Sequence, residues 1–299
     1  MRRFWALLAV LVAVVGGCGE DSGNGPSPAA GDRFDAQRAF RDLRSQVRIG
    51  PRPAGSAASR QEVRLIARRL REAGVTEVRV QRPRRNVIGH IPGESPGTVV
   101  VGAHHDTKDI PAFVGANDGA SGVAVLLELA RGLPRRLSGP SMDLVFFDAE
   151  EARDDRPFET DGARGSRQYF SYAQQGAVQG SVSVDEIRAM VLFDLVGDCK
   201  LGIPREANSD PGLYQLFSDA AEEQPGRSPF AGTGTPVLDD HIPFVRAGIP
   251  SVDLIDFNYG PGPTPGSFWH TLRDNLAHVC ARSLDAVGET ALDVLPRIR

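Results

Sequence analysis

Two hydrophobic periods alternate along this chain. Over residues 34–48, Phe34, Ala39, Phe40, Leu43 and Val47 recur at helical spacing, which predicts a surface helix. Gly50-Pro51-Arg52-Pro53-Ala54-Gly55-Ser56 cannot continue it, because prolines remove amide donors, so a loop follows. Residues 59–73 form a second amphipathic pattern, stopped at Gly74. Residues 75–80 and 85–91 alternate as two half-exposed strands, and 92–97 (PGESPG) reads as a turn. Four short, nearly pure apolar runs then stand out, at 98–103, 143–147, 189–193 and 250–255. Such runs suit strands buried on both faces. Between and after them, 122–133 reads as a helix buried on most sides with Ser121 as its N-cap. Further helices are expected at 166–174, 210–223, 240–247 and 275–295, with loops at 159–165, 225–236 and 258–267. Strands alternating with helices predict an α/β class: a three-layer α/β/α fold with a central, mostly parallel mixed sheet.

The first residues stand apart. Arg2 and Arg3 precede an apolar run over 4–15 and then Gly16-Gly17-Cys18, which reads as an export signal too short to span a membrane. Small residues before a cysteine resemble a bacterial lipoprotein signal, with Cys18 becoming the lipidated N-terminus. The other reading is an ordinary cleaved signal in which Cys18 is incidental. The organisation is then a signal peptide over 1–18, a flexible Gly/Ser/Pro-rich tether over 19–33 and one catalytic domain over 34–299. The localisation expected is exported, on a lipid anchor to the membrane facing periplasm or cell exterior. The net charge of -4 and the lack of a basic stripe argue against a nucleic-acid partner. An exported compartment permits Cys199 and Cys280 to pair, but two buried thiols fit the sequence equally well. Neither suits zinc, because each stands alone.

The buried runs end in residues that bind metals. The first leads into His104-His105-Asp106, the second into Asp148-Ala149-Glu150-Glu151, and the third into Asp194. The fourth leads into a Gly/Pro loop that delivers Trp269-His270. Asn117-Asp118-Gly119 precedes the buried helix; alone it reads as a turn. Open α/β sheets bind ligands at the carboxyl ends of their strands, so His104, Asp118, Glu151, Asp194 and His270 can converge on one crevice. Mixed imidazole and carboxylate ligands suit zinc, and an open coordination position would make the site catalytic. Glu150-Glu151 sharpens the case. Adjacent carboxylates repel, and burying both calls for a cation. One can ligate while Glu150 handles protons. His104 with Asp106 fits a ligand and its supporting carboxylate.

These residues carry a resemblance. The runs 50–56, Asn86-Val87-Ile88, 99–106, 115–128, 146–151, Asp194-Leu195-Val196-Gly197 and His270-Thr271 resemble the zinc aminopeptidase family that also contains the glutaminyl-peptide cyclotransferases. The likeness covers nearly all of the chain from about residue 34. It implies His104 and Asp194 on one zinc, Glu151 and His270 on another, Asp118 bridging them, and Glu150 as the proton-handling carboxylate. Leu238-Asp239-Asp240-His241-Ile242-Pro243-Phe244, Phe268-Trp269-His270-Thr271 and Gly165-Ser166-Arg167 are closer to the cyclotransferase branch. That branch implies one working zinc on Asp118, Glu151 and His270. It also implies a hydrogen-bonded carboxylate network containing Asp194 and Asp239, and Trp269 packed against the substrate. The chain departs from the branch in three places. The 152–158 loop (ARDDRPF) lacks its aromatic, Asp253 stands where the branch often has His, and Gly119 replaces a Ser. The resemblance thus implies one or two zinc ions per chain and substrates that are peptide or protein N-termini. The activities it leaves open are cyclisation of N-terminal glutamine with loss of ammonia, aminopeptidase hydrolysis, or a non-catalytic binding relative.

Overall fold

The computed structural model describes residues 33–299 apart from 155, 177, 225 and 227. Its elements in chain order are α1 (Ala36–Val47), α2 (Ala57–Glu72), β1 (Glu77–Val80), β2 (Val87–Ile91), β3 (Gly93–His104), α3 (Ala120–Gly132) and β4 (Leu137–Phe147). There follow α4 (Phe158–Asp161), α5 (Arg164–Gln174), β5 (Ile187–Asp194), β6 (Ile203–Arg205) and α6 (Pro211–Glu222). The chain ends with β7 (Phe230–Thr233), α7 (Ile242–Arg246), β8 (Ser251–Ile255) and α8 (Ala281–Val294). The main sheet has six strands in the order β1-β2-β4-β3-β5-β8. β4, β3, β5 and β8 run parallel, and β2 alone runs against them, pairing antiparallel with β4 on one side and with the edge strand β1 on the other.

The side-chain alternation of the central strands builds three layers. Val99, Val101, Leu144, Phe146 and Val191 pack into one core with residues of α1, α2, α3, α6 and α8. Their neighbours Val100, Val145, Phe147, Met190 and Leu192 pack on the other face against Tyr169, Phe170 and Phe244 of α5 and α7. Helices on both faces explain why these strands lack a polar face and read as continuous apolar runs.

Four expectations need correction. Residues 92–97 are not a free turn. β3 begins at Gly93 and pairs irregularly with β4, with register shifts up to Thr98. Gly93 is required there, since a Cβ would lie 2.3 Å from the Gly139 carbonyl oxygen. The cap of α3 is Gly119 rather than Ser121. Ser121 instead donates to the Asn117 carbonyl (2.6 Å) and accepts the Val196 N–H (3.1 Å). The loops expected at 159–165 and 225–236 contain α4, the start of α5, and β7. The terminal helix begins at Ala281 rather than near 275, because the residues before it are tied elsewhere. Val279 bridges to Asp198, and Cys280 is disulfide-bonded to Cys199. The signal peptide and residues 19–32 of the tether lie outside the described residues. Arg33 is already docked on α8, its N–H donating to Glu289 at 2.6 Å. No described helix is long and apolar enough to cross a membrane.

Candidate metal centre

All five candidate ligands arrive at the carboxyl edge of the parallel strands. His104 closes β3 and Asp194 closes β5. Glu150 and Glu151 follow β4, Asp118 stands just before α3, and His270 comes from the loop after β8. The backbone at these points is unusual. Ala149, Leu195 and His270 all have positive φ (60°, 49° and 53°). Each such non-glycine residue costs on the order of 1–3 kcal/mol, and such strain clusters at functional sites. Gly119 has φ 90°, and a Cβ there would meet the Asp106 carbonyl oxygen at 2.8 Å and His104 Cε1 at 3.2 Å. The glycine after Asp118 is therefore a condition for bringing that aspartate beside His104.

The side chains form two groups that share Asp118. In one, His104 Nε2 lies 3.2 Å from Asp118 Oδ1 and 3.2 Å from Asp194 Oδ1. In the other, His270 Nε2 lies 3.1 Å from Glu151 Oε1 and 3.4 Å from Asp118 Oδ2. Within each group the ligand atoms all lie within 4.8 Å of one another. Asp118 Oδ2 is buried with no hydrogen-bond partner among the described residues. Imidazole nitrogens and carboxylate oxygens facing one point, with an orphaned oxygen among them, fit a divalent cation such as zinc.

A second tier of contacts holds this arrangement. Asp106 accepts the N–H groups of both Glu150 (3.0 Å) and Glu151 (3.3 Å), which fixes the direction of the glutamate pair. Asp274, fully buried, accepts the N–H groups of Asn117 (2.7 Å) and Asp118 (3.0 Å) and the hydroxyl of Tyr259 (3.0 Å). Asn117 accepts the Gly197 N–H at 2.6 Å, joining the start of α3 to the loop after β5. The buried Arg52 guanidinium donates to the carbonyls of Gln46, Gly50, Val114 and Gly115 at 2.9–3.3 Å. That gives the Gly-Pro-Arg-Pro loop its role: it gathers the segment leading to Asp118. Lys108, which the sequence did not single out, places Nζ 3.7 Å from Glu151 Oε2 and donates to the Ala152 carbonyl.

Glu150 is 8% exposed and sits beside the candidate ligands, with Oε2 3.9 Å from His104 Nδ1. Burial pushes its carboxyl well above the usual range; Glu151, Asp239 and Asp240 add to this while His104 opposes it. Asp118 goes the other way. Burial works against ionisation, but the His104 hydrogen bond and the nearby His270 hold its carboxyl below the ordinary value. The surroundings thus push the two carboxyls in opposite directions, a pattern that marks candidate functional sites.

Behind Glu150 lies a run of buried acids. Asp239 is 3% exposed, while Asp240 and Asp253 are fully buried. Burial raises Asp239, with Asp194 and Asp240 adding to it, and burial likewise raises Asp240 to about 7. Asp194 accepts the N–H of its neighbour Leu195 (2.8 Å). Asp239 accepts the N–H of Asp240 at 2.5 Å, and its Oδ2 is buried with no hydrogen-bond partner among the described residues. Asp240 and His241, which the sequence offers only as part of the Leu238–Phe244 run and without a role of their own, are both fully buried in this group. Trp269 stacks on His270 with ring centroids 3.8 Å apart and meets Phe257 edge-on at 5.3 Å.

Comparisons with known proteins agree with this geometry. Residues 86–295 match the model for peptidase family M28. A glutaminyl-peptide cyclotransferase from Boiga irregularis is 32% identical over 244 residues, covering 68% of this chain and 62% of the relative's length. The Bos taurus glutaminyl-peptide cyclotransferase is 30% identical over 285 residues, covering 80% and 75%. Among solved structures, the Acidobacteriales bacterium glutaminyl cyclase superposes with a TM-score of 0.78 at 32% identity, covering 94% of this chain and 99% of that one. A leucine aminopeptidase precursor from Bacteroides thetaiotaomicron reaches 0.73 at 28% identity, covering 89% and 98%. The match takes in β2 through α8, including every candidate ligand, and the chain belongs to peptidase family M28.

Proposed function

We propose that this chain is a zinc-dependent glutaminyl-peptide cyclotransferase, converting the N-terminal glutamine of a peptide to pyroglutamate with loss of ammonia. The observation that carries the reading is the position of Glu150. It is 8% exposed, adjoins Glu151 in the chain and places Oε2 3.9 Å from His104 Nδ1, so a carboxylate able to accept a proton stands beside the candidate ligands. The likeness to a glutaminyl cyclase over nearly the whole of both chains supports it.

Asp118, Glu151 and His270 would hold the working zinc, whose contribution is to polarise the γ-amide carbonyl of the substrate as a Lewis acid. The substrate's own α-amine is the nucleophile, so the step is intramolecular and gains from proximity. Glu150 takes a proton from the attacking amine and returns it to the departing ammonia, one bond forming and one breaking with no net proton change. Asp194 and Asp239 line the side from which the amine approaches and steady it. Trp269, held flat on His270, packs against the glutamine side chain. The leader ending at Cys18 and the tether after it support an exported enzyme anchored by lipid outside the cytoplasm.

A second reading has its own support. His104, Asp118 and Asp194 make a complete second ligand group, and the leucine aminopeptidase precursor is a close structural neighbour. Two metals and hydrolysis of the first peptide bond, with Glu150 as base toward water, would follow from it. The intact Glu150 and both ligand groups speak against a purely binding relative. One assay separates the readings: incubate Gln-initiated and Leu-initiated peptides with the zinc-loaded protein and weigh the products. Loss of one ammonia from the Gln peptide is expected. Release of free leucine without cyclisation would instead establish the aminopeptidase.

A further inference from the structure

A cavity of about 300 Å³ opens between the start of α5 and α7, next to the metal centre. Its inner wall includes Asp239 and Ala163. Ala163 donates its N–H to the Glu150 carbonyl at 2.7 Å, so the wall is one hydrogen bond from the proton-handling residue. Leu238, 36% exposed, gives it an apolar side. Two guanidiniums line the rest. Arg167 is fixed by donating to the carbonyls of Glu159 (2.8 Å), Phe158 (3.5 Å) and Thr160 (3.5 Å). Arg246 closes α7 and is exposed.

The charge pattern of this region is selective. Arg153, Arg156 and Arg164 all converge on Asp161, at 2.6, 3.6 and 2.6 Å. Arg167 and Arg246 have no carboxylate within ion-pair distance among the described residues. Glu159 also lines the cavity and Asp239 stands on its buried inner wall, so away from that wall two guanidiniums face one carboxylate. Fixed carbonyl dipoles hold Arg167 in place without neutralising it. A guanidinium presented this way is a ready partner for a carboxylate.

We propose that this cavity is a substrate subsite for an acidic side chain at the second or third residue of the peptide, with Arg246 and Arg167 as specificity-determining residues. The inference rests on the reading that peptide N-termini are the substrate. With the α-amine beside Asp239, the chain beyond the first residue leaves along the wall that Asp239 shares with the cavity. The inference does not depend on whether the first residue is cyclised or removed. The pairs formed would be partly exposed, so the expected preference is modest, roughly three- to tenfold in kcat/KM, and shrinks with ionic strength.

The test compares amidated peptides that begin Gln-Glu, Gln-Ala-Glu, Gln-Ala-Ala, Gln-Lys and Gln-Ala-Lys, at low and at 0.5 M salt (about 4 Å Debye length). The acidic peptides should lead and the lysine peptides trail, mainly through KM, and the spread should collapse at high salt. Arg246→Glu should invert the order while leaving the Gln-Ala-Ala peptide within about twofold of its starting kcat/KM. Equal kcat/KM across the series, or an order that Arg246→Glu leaves in place, overturns the subsite even if the neutral peptide is cyclised well. If no Gln peptide is cyclised, the cyclotransferase reading falls by itself. Dissociation constants of the same peptides for the zinc-loaded protein, measured by calorimetry, then decide the subsite: a preference for the acidic peptides supports it, and equal constants or no binding reject it.

Discussion

Removing the Asp274 carboxylate should loosen the metal centre without touching a ligand. Asp274 is the shared acceptor for the Asn117 and Asp118 N–H groups and the Tyr259 hydroxyl, at 2.7, 3.0 and 3.0 Å, and no part of it is exposed. Asp274→Ala leaves two amide donors and one hydroxyl buried without acceptors. Each orphaned donor costs about 1–3 kcal/mol, and because the three share one partner a total of roughly 3–6 kcal/mol is a ceiling. For a domain of this size that corresponds to a fall in Tm of about 6–20 °C. Asp274→Asn keeps one good acceptor oxygen but turns an NH2 toward a donor, so about half the loss is expected. The effect on metal follows from Asp118, which belongs to both ligand groups. Losing a support of this kind lowers metal affinity by about 10- to 100-fold. Burial, with Asp118 adding, raises the Asp274 carboxyl to about 7, so the comparison belongs at pH 8, where it is ionised. Zinc affinity is read by competition with a chromophoric chelator and stability by thermal unfolding in excess chelator. A variant that melts lower yet binds zinc as tightly as the parent would refute the link between Asp274 and Asp118.

Three further outcomes are expected. Glu150→Gln should retain zinc and lose about 10²–10⁴ in kcat on a Gln peptide; undiminished turnover removes Glu150 from proton transfer. Trp269→Ala should raise KM for a Gln peptide more than it lowers kcat, and an unchanged KM counts against its packing on the substrate. Glu62 gives a pH test away from the metal. It is fully buried, and burial raises it from 4.5 to about 7 although Arg52 opposes this. The folded form therefore holds a proton that the unfolded chain releases. That contribution is fully present below about pH 4.5 and lost as pH rises through 7, a change of roughly 3 kcal/mol. Glu62→Gln should flatten this slope in denaturant titrations between pH 5 and 8; an identical slope in parent and variant would show that Glu62 does not titrate in that window.

The parts of the fold legible in the sequence are those where one force dominates. Residues 143–147 and 189–193 are strands covered by helices on both sides, so only apolar residues fit, and the run announces the strand. The convergence of the candidate ligands followed from topology, since parallel strands deliver their final residues to one edge. Where turn chemistry and pairing compete, the sequence misled. Pro92, Gly93, Pro96 and Gly97 look like a turn, yet strand pairing with β4 captures Gly93 and Ser95. The cap of α3 was hidden because Gly119 is chosen for its positive φ beside His104, a constraint set by the site and not by the helix. The Cys199–Cys280 bond could not be read from a separation of 81 residues; it depends on Val279 reaching Asp198. Lys108 carries no local signal, because Glu151 and the Ala152 carbonyl reach it from the end of another strand.

The convergence of Asp118, Glu151 and His270 on one ion is the claim on which the function rests. A crystal of the zinc-loaded protein, with diffraction recorded on both sides of the zinc absorption edge, measures it directly. The expected result is an anomalous peak touching Asp118, Glu151 and the His270 ring nitrogen, with a second peak between His104 and Asp194 if two metals are held. Zinc bound elsewhere, or these three side chains turned away from a common centre, would contradict it.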